Sequence, residues 1–289
     1  WLKANYPVEF MAALMTLDYG NTDKLAIFKQ ETQRMGIPLL PPDINKSNVM
    51  FKVEEKTIRY ALAALKGVGH GAMEKVVQER DEDGAYKNIA DFINRLDAKV
   101  INKKQFEQLV CAGAFDSIHA RRAQLYENIE TLLRHAIAQA DERSSGQVSL
   151  FGDPKGGGND LPPLKDVQEW DVLEKLRYEF EAVGFYLSAH PLDTKTAQME
   201  RMKIISFARL PEELDRRPSS RVQMAGILIK KVEKVSAKSG NKFAFLQMSD
   251  ATGVYEVMIF SETLSKARPF LEPGTALLLT CDADVKDEQ

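Results

Sequence analysis

Apolar positions along the first half of the chain recur mostly at intervals of three and four, the spacing of one face of a helix. Residues 1–35 read as helices: Pro7 suits a first helical turn, and Asn21 or Thr22 can cap a second helix that closes at Gly36. Pro38, Pro41 and Pro42 then predict a loop. Phe51, Val53, Ile58, Tyr60 and Leu62 alternate around Glu54-Glu55 and predict a small hairpin. From Leu65 to Ala140 helices dominate. One follows Gly71, and one starts near Asn88 with Ile89, Phe92, Ile93 and Leu96 inward. A third is capped by Asn102 and closes at Gly113; a long fourth is expected to start at Ser117.

Composition then changes. Ser144-Ser145-Gly146, Gly156-Gly157-Gly158 and Pro162-Pro163 bracket a stretch that cannot pack as a regular element. Helical character returns at 170–182 and 193–202. After Arg216-Arg217-Pro218-Ser219-Ser220 the period becomes two. Val222, Met224, Gly226, Leu228 and Val232 form one predicted strand; Phe243, Phe245 and Gln247 a second; Tyr255, Val257 and Ile259 a third. A short helix near 262–267 precedes a fourth at 276–281. Four strands with a helix before the fourth is the order of an OB-type Greek-key barrel, here expected to lack its last strand. The fold class is therefore multidomain, mainly α with tandem helix-hairpin-helix units, followed by an all-β OB-type barrel truncated at its end.

At 289 residues the chain is long enough for two or three domains, and 44% hydrophobic content supports real cores. No apolar run approaches a membrane span. The start lacks Met and a signal pattern, and both ends look cut, which predicts a piece of a longer protein. Cys111 and Cys281 form no Cys/His cluster, so no metal site is expected. Net charge is −3, but basic residues cluster locally. Between Lys99 and Arg122 there are five basic residues against two acidic; between Arg221 and Lys242 there are six against one. Such patches fit phosphate contact on particular faces, or merely a solvated surface.

Four features can carry function. Lys66-Gly67-Val68-Gly69 stands before a helix, where glycines bring N–H groups close to a phosphate. With Ala72 it loosely fits a dinucleotide fingerprint, but no βαβ unit surrounds it. A helix-hairpin-helix fits better, because Leu109–Phe115 repeats the arrangement of apolar helix and glycine turn at Gly113. Lys103, Lys104, Arg121 and Arg122 lie nearby. An ordinary glycine-capped hairpin is the plainer reading of either copy alone. Gln147-Val148-Ser149-Leu150-Phe151 sets a Leu-Phe pair in a linker with no core to enter, as a docking peptide for another protein would. In the barrel, Lys230, Lys231, Lys234, Lys238 and Lys242 flank Phe243 and Phe245, either a single-strand groove with aromatic platforms or core residues within a basic surface. His70, His119, His135 and His190 accompany no recognisable nucleophile, and Asp282 and Asp284 stand alone.

Several segments together resemble the family of bacterial replicative DNA polymerase III alpha subunits, over essentially the whole chain. They are residues 1–10, Asn21-Thr22-Asp23-Lys24, Arg34-Met35-Gly36-Ile37, Leu40–Asn45, Lys66–Gly69, Ala112–Asp116 and Gly184–Leu192. The resemblance implies the end of a fingers domain over 1–45, a tandem helix-hairpin-helix duplex-binding domain over 46–142, and a linker with a sliding-clamp peptide over 143–165. A helical connector over 166–218 and an incomplete OB domain over 219–289, near single-stranded template, follow. It implies a cytoplasmic nucleotidyltransferase as parent, with catalytic aspartates and magnesium in a palm outside this chain. This segment is then expected to need no cofactor, to be inactive alone, and to meet other replicase subunits through regions it does not contain. Where the family usually has Gly, this chain has Ala189. A repair nuclease or ligase module with the same two domain types is the alternative, and would need a carboxylate metal cluster that the sequence does not display. An RNA-binding OB protein is a third.

Overall fold

Side chains that accept hydrogen bonds from the free N–H groups of a first helical turn mark where several of the helices begin. The computed structural model describes residues 1–96, 100–145, 161–237 and 239–284. Helices α1 (Leu2–Asn5) and α2 (Pro7–Leu17) are followed by α3 (Thr22–Arg34). The Asn21 side chain caps α3, accepting from the Lys24 N–H at 3.1 Å. Strands β2 (Lys52–Glu54) and β3 (Thr57–Arg59) form the expected hairpin. The proline-rich stretch holds an unexpected strand, β1 (Leu39–Leu40), parallel to β3. Proline lacks a donor but keeps its acceptor: Ile58 N–H donates to the Pro38 carbonyl and Tyr60 N–H to that of Leu40, both at 3.0 Å.

After a 3₁₀ turn over Leu62–Ala64 come α4 (His70–Asp83), α5 (Ile89–Arg95), α6 (Lys103–Cys111) and α7 (Arg122–Ser145). Asn88 caps α5, and Asn102 with Gln105 forms a reciprocal capping box on α6. The start of α7 differs from expectation. Ser117 does not cap it; its hydroxyl donates to the Asp43 carboxylate at 3.2 Å, and the helix begins at Arg122. The reason lies in Gly113, which adopts φ +79 and turns the chain back under the Arg122 guanidinium. That guanidinium donates to both Asp116 oxygens, at 2.8 and 2.6 Å, and to the Cys111 carbonyl at 3.2 Å.

Phe92, Phe106 and Phe115 meet edge-on or tilted, with ring centres 4.9–6.1 Å apart, in the middle of one core that extends from Met11 to Leu187. The buried Arg80 donates to the carbonyls of Ile44 and Ser47 and pairs with the Asp81 carboxylate at 2.9 Å, so a charge inside the fold is satisfied by backbone acceptors and one neighbouring anion. Residues 161–170 run back along α7. Lys165 N–H donates to the Asn128 side chain, whose amide donates to the Lys165 carbonyl, and Trp170 stacks on Tyr178 at 4.0 Å. Helix α8 (Val172–Val183) has an Asp171–Glu174 capping box and ends at Gly184, φ +100, where a Cβ would strike Lys66 and Thr22.

The chain divides into two compact units, Trp1–Ser188 and Ala189–Gln289. The division falls inside the span expected as a connector. Ala182, Val183, Phe185 and Leu187 enter the first core, whereas Ile205, Phe207 and Leu210 pack on the second. After a 3₁₀ turn over Pro191–Lys195 the second unit has α9 (Thr196–Arg201) and α10 (Leu210–Arg216). It continues as β4 (Ser219–Val235), β5 (Lys242–Asp250), β6 (Gly253–Ile259), α11 (Ser261–Ala267) and β7 (Ala276–Asp284). The four strands form a curled antiparallel sheet in the order β6-β5-β4-β7, a half-barrel of the OB type. One long strand serves both sides: the first half of β4 pairs with β7 and its second half with β5, with a register shift between Leu228 and Lys230. Gly226 lies where a Cβ would meet the Tyr255 hydroxyl at 2.6 Å, so only a bare backbone admits that ring.

The Gly113 turn is a direct test of the first unit. Gly113→Ala is expected to destabilise the protein by about 2 kcal/mol or more, since a left-handed alanine is strained and its Cβ displaces Arg122. Chemical denaturation of the two proteins measures it.

Candidate nucleic-acid interface

The first hairpin has the geometry of a phosphate cradle. Gly67 is exposed, with φ +72, and leads through the buried Val68 to Gly69, the N-cap of α4. Gly69 has no side chain to offer, so no side chain caps the N–H groups of the first turn of α4. Helix α6 brings a cation to the same place. The Lys104 Cε lies 3.6 Å from the position of a Cβ on Gly67, and Gln105 Nε2 lies 3.1 Å from that of Gly69. Lys104 forms no ion pair among the described residues. This pairing of α6 with the first hairpin is not visible as a sequence spacing, because thirty-odd residues intervene. Lys66 points elsewhere. Its ammonium lies 5.7 Å from the Phe180 ring centre, and desolvation pushes its pKa down while Asp23 and Glu181 resist.

The second copy differs. Gly113 is buried beneath Arg122, and Ala114 and Phe115 are core residues, so this turn holds the fold rather than facing solvent. Arg122 is committed to Asp116. Arg121 pairs with Asp166 at 2.7 Å and donates to the Val167 carbonyl. Lys103 pairs with Glu130 at 2.6 Å, which raises its pKa, yet it stays exposed and next to Lys104.

In the second unit strand alternation separates two faces. Ala244, Leu246 and Met248 of β5 enter the core; Phe243 and Phe245 point to the other side and belong to no core cluster. Their rings meet edge-on at 5.5 Å, and the Lys234 ammonium lies 4.9 Å from the Phe245 ring centre. Residues directly opposite on paired strands share a face. The rungs Val232–Phe245–Met258, Lys230–Gln247–Glu256 and Lys234–Phe243 therefore line one surface. Val232 and Met258 are both exposed there. Lys231 faces the other way, opposite Leu246, and pairs with Glu233 at 3.5 Å; Lys242 is exposed at the end of β5. Val232 and Gln247 were read in the sequence only as strand positions, and Glu256 and Met258 were not singled out, although their spacing of two from Lys230, Lys234, Phe245 or one another was the available signal.

Gln147, Val148, Ser149, Leu150, Phe151 and Lys238 lie outside the described residues. Among the described residues no group of three or more His, Cys, Asp or Glu could hold a metal ion, and no helix is long and apolar enough to cross a membrane. Burial pushes the Cys111 thiol up to about 12, so it is inert as a nucleophile at neutral pH. His190 is buried in the second unit, with Nε2 3.0 Å from the Ser249 hydroxyl and Nδ1 accepting from Leu192 N–H.

Residues 36–125 match the family model described as a helix-hairpin-helix motif. The chain is 41% identical to the DNA polymerase III subunit alpha of Caulobacter vibrioides over 287 residues, 99% of this chain and 25% of the relative. It is 34% identical to that of Thermus aquaticus over 288 residues, 100% of this chain and 23% of the relative. It is 32% identical to that of Bacillus subtilis over 290 residues, 100% and 25% respectively. The chain is thus homologous along its whole length to a segment of DNA polymerase III alpha subunits, and spans about a quarter of the length of these curated relatives.

The two faces of β5 predict opposite mutational costs. Phe245→Ser is expected to cost no more than about 1 kcal/mol of stability. Leu246→Ala, the neighbouring position facing the core, should cost about 2–5 kcal/mol. Denaturant unfolding of each variant checks this; equal costs would refute the placement of the phenylalanines outside the core.

Proposed function

We propose that the chain is the DNA-gripping and clamp-tethering portion of the catalytic subunit of a replicative DNA polymerase, and that it gives that enzyme processivity in chromosome replication. The observation that carries the reading is the cradle at Gly67–Gly69. An uncapped helix start, an exposed left-handed glycine and the unpaired Lys104 converge there, within the stretch matched to a helix-hairpin-helix motif. This hairpin holds a duplex phosphate, with Lys103 and Lys104 supplying positive charge and Lys66 supporting the turn from behind. Gly113 and Arg122 keep α6 and α7 in the arrangement the cradle needs, and Arg121 fastens the segment after the linker. The surface of Phe243, Phe245, Lys230 and Lys234 takes single-stranded template by stacking and charge. Gln147-Val148-Ser149-Leu150-Phe151 docks in the sliding clamp, with Leu150 and Phe151 as buried anchors and Gln147 at the pocket rim. Nucleotidyl transfer, with its aspartates and magnesium, belongs to other residues of the parent, which works in the cytoplasm with further replicase subunits.

Two measurements test these parts separately. Lys104→Ala is expected to weaken duplex binding without regard to sequence and to reduce the slope of log affinity against log salt by about one, as the loss of one phosphate contact requires. An unchanged slope would remove Lys104 from the interface. Replacing Leu150 and Phe151 together by Ala is expected to cost about 2 kcal/mol or more of clamp affinity by calorimetric titration, with DNA binding unaltered. Retained clamp affinity would refute the tether.

A further inference from the structure

The outer face of the half-barrel sheet is graded from one strand to the next. On β4 it presents Lys230, Val232 and Lys234; on β5, Phe243, Phe245 and Gln247; on β6, Glu256 and Met258. The rungs are in register, so Lys230, Gln247 and Glu256 form one line across the sheet and Val232, Phe245 and Met258 the next. Lys230 and Lys234 form no ion pair among the described residues, and neither does the exposed Glu256. The cationic edge therefore lies on β4, the stacking platform in the middle and a lone carboxylate beyond it on β6.

A single strand crossing this surface cannot lie symmetrically. Its phosphates are attracted to β4 and repelled from β6, while its bases stack on the β5 rings. With the backbone over β4, the hydrogen-bonding edges of the bases point toward β6. From this gradient we infer a base-selective single-strand site, in which Glu256, assisted by Gln247, accepts hydrogen bonds from the amino groups of bases stacked on Phe245. The inference rests on the single-strand reading of this face given above and adds an orientation and a selectivity to it. A carboxylate has acceptors only, so it favours cytosine, which offers its N4 amino group, over thymine, which offers the O4 acceptor at the same place. The two pyrimidines have similar stacking area, which isolates the effect of the edge.

The test is fluorescence anisotropy of the whole 289-residue chain with labelled oligo(dC) and oligo(dT) of equal length at neutral pH. Oligo(dC) is expected to bind about fivefold tighter or more, the low end for a side-chain–base contact. Glu256→Gln, a change of equal shape on an exposed position, is expected to bring the two affinities together, chiefly by weakening oligo(dC), because an amide can donate to the thymine O4 as readily as it accepts from the cytosine N4 amino group. Lys234→Ala should weaken both oligonucleotides alike and leave their ratio in place. If both bind in a manner that depends on Phe245, but their ratio is near one in the unaltered chain or persists in Glu256→Gln, the base selection is overturned and single-strand binding stands. If neither binds, or Phe245→Ala changes nothing, the single-strand reading fails and takes the selectivity with it.

Discussion

Arg122 closes over Gly113, and much of the first unit depends on that contact. The guanidinium occupies the space that any Cβ at position 113 would need, and it is held there by Asp116 and by the Cys111 carbonyl. Because the glycine can adopt a left-handed turn, α6 ends abruptly and α7 starts only after the chain has folded back. The lateral position of α6 that results sets Lys104 against Gly67. The start of α7 places Arg121, Ala123, Tyr126 and Asn128 where residues 165–170 can fasten to them. A group that looks from its charge like a phosphate ligand therefore acts first on its own chain.

The same distinction governs the electrostatics. A net charge of −3 and two basic stretches describe the chain poorly, because partners decide which cations face outward. Arg80, Arg95, Arg121 and Arg122 all bind carboxylates or carbonyls of the fold. Planar guanidinium with several donors suits such multi-point fastening, whereas lysine, with a flexible stem and a compact charge, stays available at a surface. Lys103, Lys104, Lys230 and Lys234 are among the cations that face solvent near the two candidate surfaces.

Helix starts were legible in the sequence wherever a capping side chain stood three residues before its partner N–H, as at Asn21, Asn88 and Asn102. The OB-type sheet was legible from the period of two and from the short helix placed before the fourth strand. Ser117 misled because its hydroxyl finds Asp43, distant in sequence, and β1 was hidden because prolines that break a strand can still accept its hydrogen bonds. The alternation around Phe243 and Phe245 showed that they share a face but not which one; that depends on the register with β4 and β6, a tertiary property. Likewise, two glycine turns of similar sequence fold to different ends, one exposed beside Lys104 and one buried beneath Arg122.

If one chain holds DNA and clamp together, each contact raises the effective concentration of the other. Titration of the chain with clamp loaded on primed DNA, compared with free clamp and with primed DNA alone, measures this directly. The affinity for the loaded clamp is expected to lie at least about a hundredfold above that for either component separately. An affinity no greater than that of the stronger single component would contradict it.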